Sequence, residues 1–183
     1  MRDAKPTYEV ALSPRAMADV VGVVVRALHI LFGVAWIGGV MYGVGVIRRV
    51  MPRVDMAARK ATMKQLIPVV TQYLPGSAVM TIVTGAILYL YLGGFDPAVL
   101  WGSAWGLVLL TALVLAVATF TFGMIVGIGT AKRIMAHLQE EACGHGPEVG
   151  ALTKLFNRSQ VVVLLLGIVI ISLMVIATEH VII

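Results

Sequence analysis

The sequence predicts an all-α fold: an integral membrane bundle of four up-and-down helices with both termini outside. Three observations carry that expectation. Hydrophobic residues make up 60% of the 183 positions and charged residues only 13%, where an ordinary soluble domain carries about a quarter charged. So much apolar surface, at a mean hydropathy of +0.97, exceeds what one small soluble core hides, so lipid must be its solvent. Four apolar runs also reach the roughly 20 residues a helix needs to cross a bilayer. Finally, the cations are unevenly shared among the connections, and short basic loops stay in the cytoplasm.

Span one is expected over 22–47, after a polar leader, Met1–Asp19, that shows no signal-peptide cleavage pattern. The connection over 48–74 holds Arg48, Arg49, Arg53, Arg59, Lys60 and Lys64 and is expected inside. Within it, Val54–Gln65 reads as an amphipathic interfacial helix, with Pro68 and Pro75 kinking the chain before span two, 75–94. The next connection, GGFDPAVLWGSAW, has no Lys or Arg and belongs outside, where Tyr89, Tyr91, Trp101 and Trp105 are expected to form an aromatic belt. Span three covers 104–129, and a second inside loop, 130–159, carries Lys132, Arg133, Lys154 and Arg158 before span four, 160–180. That loop also holds Cys143 near His137 and His145; one cysteine matches no zinc spacing, so it reads as a solvated loop with a free thiol.

This topology places the chain in the cell membrane as a multi-pass protein with the lipid bilayer as its first partner. It also accounts for the net charge of +5 through anionic inner-leaflet lipid, which leaves no case for nucleic-acid binding. No hydrolytic site competes. Glu179 points about 100° away from its neighbour His180 on a helix, and no glycine-rich phosphate loop is present.

The chemistry concentrates in RALHILFGVAWIGGVMYG, 26–43. At 100° per residue, Gly22, Arg26, His29, Gly33, Trp36, Val40 and Gly43 share one narrow face. It offers a cation, an imidazole beneath it, a glycine that lets something flat approach the backbone, and Trp36 as a wall. Ionisable groups at membrane depth are costly and tend to face a bundle interior or a cavity. Span two matches this with Ser77, Thr81, Thr84 and Tyr91 on one stripe and Met80 on its flank. Span three offers the small face Ala112, Ala116, Thr119, Gly123, Gly127 and Thr130, read as helix packing.

His180 closes the set. His29 stands nineteen residues from Arg48, about 28 Å of helix, and His180 twenty-two from Arg158, about 33 Å. The two imidazoles therefore fall within one helical turn of each other in height, on helices that are neighbours in an up-down bundle. Two histidines so placed are expected to hold a haem between them, with iron ligands His29 and His180 and with Arg26 opposite a propionate. Gly33, Trp36, Thr81 and Thr84 are expected to line the site.

The pattern His29-x-x-x-Gly33-x-x-Trp36-x-Gly38-Gly39, followed by Arg48 and Arg49, resembles the first span of a superfamily of small bacterial and archaeal membrane proteins. That superfamily includes copper-resistance D-type proteins, small membrane protoporphyrinogen oxidases and membrane urate oxidases. Several members are four-helix units binding b-type haem through the first-span histidine, which implies haem b with His29 as ligand. Spans two to four here contain no lysine, so the intramembrane lysine of the protoporphyrinogen oxidases has no counterpart. The expected function is a b-type haem protein for electron transfer or diatomic-gas binding. The alternatives are copper, other metal or small-solute transport, or a cofactor-free accessory subunit. Two GxxxG pairs, Gly39–Gly43 and Gly123–Gly127, with Gly39 turned towards a neighbouring protomer, predict a homo-oligomer, a dimer before a trimer. A redox partner is expected but not specified by any residue.

Overall fold

The computed structural model describes residues 14–139 and 146–179; His180, Cys143 and His145 lie outside them. All the described elements are helical. Helix α1 (Pro14–Tyr42) runs on through a π-helical turn, Gly43–Ile47, into the short α2 (Arg48–Val50). A tight 3-10 turn, Met51–Arg53, leads to α3 (Met56–Leu92), whose first turn is capped by the Asp55 carboxylate accepting from the Ala58 amide at 3.0 Å. The short α4 (Pro97–Gly102) precedes α5 (Ala104–Phe122), which passes through a second π-helical segment, Gly123–Ile128, into α6 (Gly129–Gln139). The last helix is α7 (Gly146–Glu179). Four stretches are long and apolar enough to cross a membrane: Val20–Arg53, Met56–Leu92, Ala104–Gln139 and Gly146–Thr178. The protein is a four-helix membrane bundle.

The expected loops over 48–74 and 130–159 are for the most part not loops. Val54–Gln65 is not a separate interfacial helix; from Met56 on it is the start of α3, which continues through Pro68 and Pro75 without a break. The segment is built of helix formers, and in an apolar setting the loss of a proline's one N–H costs less than opening a helix with all its backbone groups. At 37 residues α3 is about 56 Å long, more than the roughly 40–45 Å of a whole bilayer, so it projects beyond the headgroups. His137 belongs to α6, with Nε2 3.7 Å from the Glu148 carboxylate on the first turn of α7.

Helix α1 packs mainly on α3, and α5 mainly on α7; the two pairs meet through α3 with α5 and, more thinly, α1 with α7. First and last helices are thus adjacent, as an up-down bundle requires. The small-residue face of span three is where the sequence puts it: Ala112, Ala116, Thr119, Gly127 and Thr130 are all buried. One apolar cluster joins Trp36, Val40, Ala78 and Val163, and a second, nearer the α4 end, joins Ala112, Ala116 and Ile170.

The aromatic belt is partly an internal clamp. Tyr89 is buried, its hydroxyl donates to the Leu100 carbonyl at 2.6 Å, and its ring stacks on Trp105 at 6.3 Å between centroids. Tyr91 lies against Gly22, while Trp101 stays exposed. The cause is α4, which folds back over the ends of α3 and α5 after a left-handed turn at Gly94 (φ 61°) and Phe95 (φ 57°). Gly106 packs directly on carbonyls of α4, where no side chain has room.

The glycine pairs also serve the single chain. A Cβ on Gly39 would stand 2.7 Å from Leu74 Cδ2, so this glycine faces α3 and not a neighbouring protomer. Gly123 and Gly127 receive Val163 and Gln160 of α7, whereas the position of a Gly43 Cβ is open. The π turn beginning at Gly43 departs from the 100° step on which its interior assignment rested.

Candidate functional site

The seam between α1 and α3 is an antiparallel zipper of glycines and larger groups. Moving down α1, Gly22 takes Tyr91, His29 lies on Gly85, Gly33 takes Thr81, and Gly39 takes Leu74. Each step towards the basic end of α1 is matched by a step back along α3. His29 is the member that reverses the pattern, a large side chain of α1 set on a glycine of α3.

Its Nδ1 stands 2.9 Å from the Thr81 carbonyl and 3.2 Å from Thr84 Oγ1. A carbonyl oxygen only accepts, so the proton sits on Nδ1 and is donated to Thr81. The Thr84 hydroxyl already donates to the Met80 carbonyl at 2.6 Å, so towards His29 it acts as a second acceptor. In the neutral ring the Nε2 lone pair is then left free, and among the described residues no hydrogen bond reaches it. Protonated Nδ1 on a backbone carbonyl, with a basic Nε2, is the arrangement commonly found behind a metal-bound histidine.

Gly85 makes the approach possible. A Cβ there would stand 2.9 Å from His29 Cε1 and 3.3 Å from Nδ1, so any side chain displaces the ring. The sequence reading of span two passed over this residue. The signal was available, because Gly85 is one turn after Thr81 on the same stripe and next to Thr84.

The remaining expected site residues divide. Thr81 and Thr84 join His29 as expected. Arg26, three residues before His29 on α1, is exposed. Gly33 does not front an open slot, because the Thr81 methyl covers it, 3.7 Å from where a Cβ would be. Trp36 is not a slot wall; it is 5% exposed and packed among Val40, Ala78 and Val163. Both departures have a related cause: the face of α1 that carries them is closed by α3 and, around Trp36, also by Val163 of α7. Met80 is exposed on the flank, and His180 falls outside the described residues. Among the described residues no three His, Cys, Asp or Glu side chains converge as a metal cluster would need.

No family model, curated protein or solved structure matches this chain. The resemblance of the first span therefore rests on its own residues alone.

His29, held through Nδ1 by Thr81 and Thr84, would be the residue to hold a haem iron through its free Nε2. The fit does not extend to the interior between the spans. The cavity there has a volume of about 40 Å³, against roughly 300–1,000 Å³ for a site that encloses an organic ligand. It also lies at the level of Trp36, seven residues or about 10 Å along α1 from His29. What His29, Thr81, Thr84 and Gly85 supply is one oriented imidazole with a free Nε2, near the α4 end of the bundle.

Proposed function

We propose that this chain is a b-type haem protein of the cell membrane, holding the iron through Nε2 of His29 and serving electron transfer or diatomic-gas binding. The observation that carries the reading is the 2.9 Å contact from His29 Nδ1 to the Thr81 carbonyl, which leaves Nε2 as the basic nitrogen. Thr81 sets the tautomer, Thr84 shares the Nδ1 proton, and Gly85 lets the ring lie on α3. Arg26, exposed on the same face as His29, is the counter-charge for a propionate. When bound, haem supplies a one-electron centre or an open coordination site for a gas. His180 is the proposed second ligand. The basic ends of the helices face the cytoplasm, so the haem lies towards the outer surface, and a dimer gives it further cover from lipid.

The experiment is an absorption spectrum of protein purified from haem-supplemented cells, oxidised and then reduced. The expected result is a Soret band that His29→Ala removes or shifts strongly. A colourless native protein, or an unchanged band in His29→Ala, overturns the reading.

The two Nδ1 contacts also favour a second reading, in which His29 is a polar staple between α1 and α3 with no cofactor. A protein that stays colourless yet loses stability in His29→Ala supports the staple.

A further inference from the structure

The basic end of the bundle contains breaks in helical geometry that the His29 site does not use. Helix α1 turns π-helical at Gly43–Ile47, just before Arg48, and α5 does so at Gly123–Ile128, shortly before Lys132. Such turns are rare, cluster at functional positions and are among the few causes of a sharp bend in a helix. The pairs Gly33–Thr81 and Gly39–Leu74 set the antiparallel register of α1 and α3. Carried on, that register puts Pro68 of α3 level with Gly45, inside the first π turn. Proline lacks the N–H that would bond one turn back, so α3 is weakened where α1 is.

Helix α7 relates the two π segments to each other. Ile37 lies on Gly167, which sets the first π turn level with 157–161 of α7. Gly127 and Gly123 receive Gln160 and Val163, which sets the second level with 159–163. Both segments pack on α7, which runs through this level as regular helix. Three helices of the bundle are thus softened in one plane, and the fourth crosses it intact. The plane lies at the membrane boundary, where Tyr42 and Tyr73 are exposed on α1 and α3 and the cations begin.

A packed body stands on each side of the plane. Towards the outside are the two apolar clusters of the bundle. Towards the cytoplasm α6 packs on both α3 and α7, and its His137 reaches Glu148 of α7 at 3.7 Å. In the joint itself, Gly43 and Gly45 have nothing within 4 Å of a Cβ position. No neighbour demands glycine there; what glycine brings is backbone freedom.

We propose that the two π segments and Pro68 act as one hinge at the cytoplasmic boundary. On it the cytoplasmic body, made of α2, α6 and the first turns of α3 and α7, swings against the membrane bundle. Two packed bodies joined by a few backbone positions that absorb the change are what a hinge motion needs. Unbroken α7 is the strap that keeps the swing small. The motion carries Arg48, Lys64 and Lys132 together through the headgroup layer. The hinge is separate from His29 and stands whether or not the chain binds haem.

The test is pulsed electron–electron double resonance on the full chain in lipid nanodiscs, with Cys143→Ser removing the single native cysteine. Spin-label pairs at exposed positions span the plane on α3 (Ala57 with Val83) and on α5 and α6 (Val117 with Ala136). A third pair, Ala57 with Ala136, lies within the cytoplasmic body. The spanning pairs are expected to give distance distributions about two-fold wider than the third. Gly43→Ala with Gly45→Ala fills open space and favours regular helix. It alters neither labelled helix, yet is expected to narrow both spanning distributions to about the width of the third. Pro68→Ala, which restores the missing N–H, gives the same narrowing between Val117 and Ala136 by an independent route. Equal widths in all three pairs, or narrowing confined to the helix that carries the substitution, overturns the proposal.

Discussion

Replacing Gly85 by alanine adds one methyl group at the point where two transmembrane helices meet through an imidazole. In a helix interior the exchange by itself is favourable by up to about 1 kcal/mol. Gly38 provides the control, since nothing lies within 4 Å of its Cβ position and Gly38→Ala collects that gain unopposed. At Gly85 the methyl would stand 2.9 Å from His29 Cε1 and 3.3 Å from Nδ1, both too close. The ring is flat and rigid, so it must retreat by about half an ångström, which stretches the 2.9 Å bond to the Thr81 carbonyl past good geometry. Loss of such a bond costs about 0.5–1.5 kcal/mol, and up to about 3 kcal/mol if the donor finds no substitute. Gly85→Ala should therefore be about 1–3 kcal/mol less stable than Gly38→Ala. Reversible unfolding in mixed detergent–SDS micelles, followed by circular dichroism, measures the difference. Equal stabilities within about 0.5 kcal/mol would refute the claim that His29 is seated on Gly85.

Further outcomes follow from the clamp, the caps and the second acceptor. Tyr89→Phe keeps the stack on Trp105 but removes the 2.6 Å bond to the Leu100 carbonyl, and should cost about 1 kcal/mol by the same unfolding assay. Tyr89→Leu, which also loses the stack, should cost about 0.5–1.5 kcal/mol more. Ser103→Ala deletes the hydroxyl that accepts from the Gly106 amide at 2.9 Å and should cost about 1 kcal/mol, whereas Ser103→Asp should retain most of the cap. Thr84→Val keeps the shape but removes the 3.2 Å acceptor for His29 together with the 2.6 Å donation to the Met80 carbonyl, so with Thr81 still in place it should cost about 0.5–1.5 kcal/mol. A larger loss that disappears in a His29→Ala background would make Thr84 the principal partner of His29.

The four spans were legible because lipid imposes a composition that no soluble domain of this size carries, and the interior face of α5 because small residues at helical spacing permit close approach. The continuity of α3 was not legible, since Pro68 and Pro75 are breaking signals locally and only the surrounding packing and apolar setting override them. At the candidate site, the pairing of His29 with Thr81 and Thr84 could be read from matching polar stripes. Closure of Gly33 and burial of Trp36 could not, because a helical face shows which residues point one way and not which neighbour fills the space before them. The Tyr89–Leu100 bond was hidden for a related reason: α4 sits in a stretch whose Gly, Asp and Pro content reads as a connection.

The unequal packing among the four helices has a mechanical consequence. With α1 closely zipped to α3 and α5 to α7, the molecule should respond to load as two stiff hairpins joined along a softer line. A thinner or thicker bilayer is met by changing helix tilt, at a fraction of a kcal/mol per ångström of mismatch. Each hairpin resists internal shear through its interlocked side chains, so the adjustment falls on the line where α1 faces α7 and α3 faces α5. Spin labels on α1 and α7 should therefore change separation with lipid chain length, while labels on α1 and α3 hold theirs. Membrane thickness would then act on this protein as a lever, with its fulcrum where Ile37 presses on Gly167.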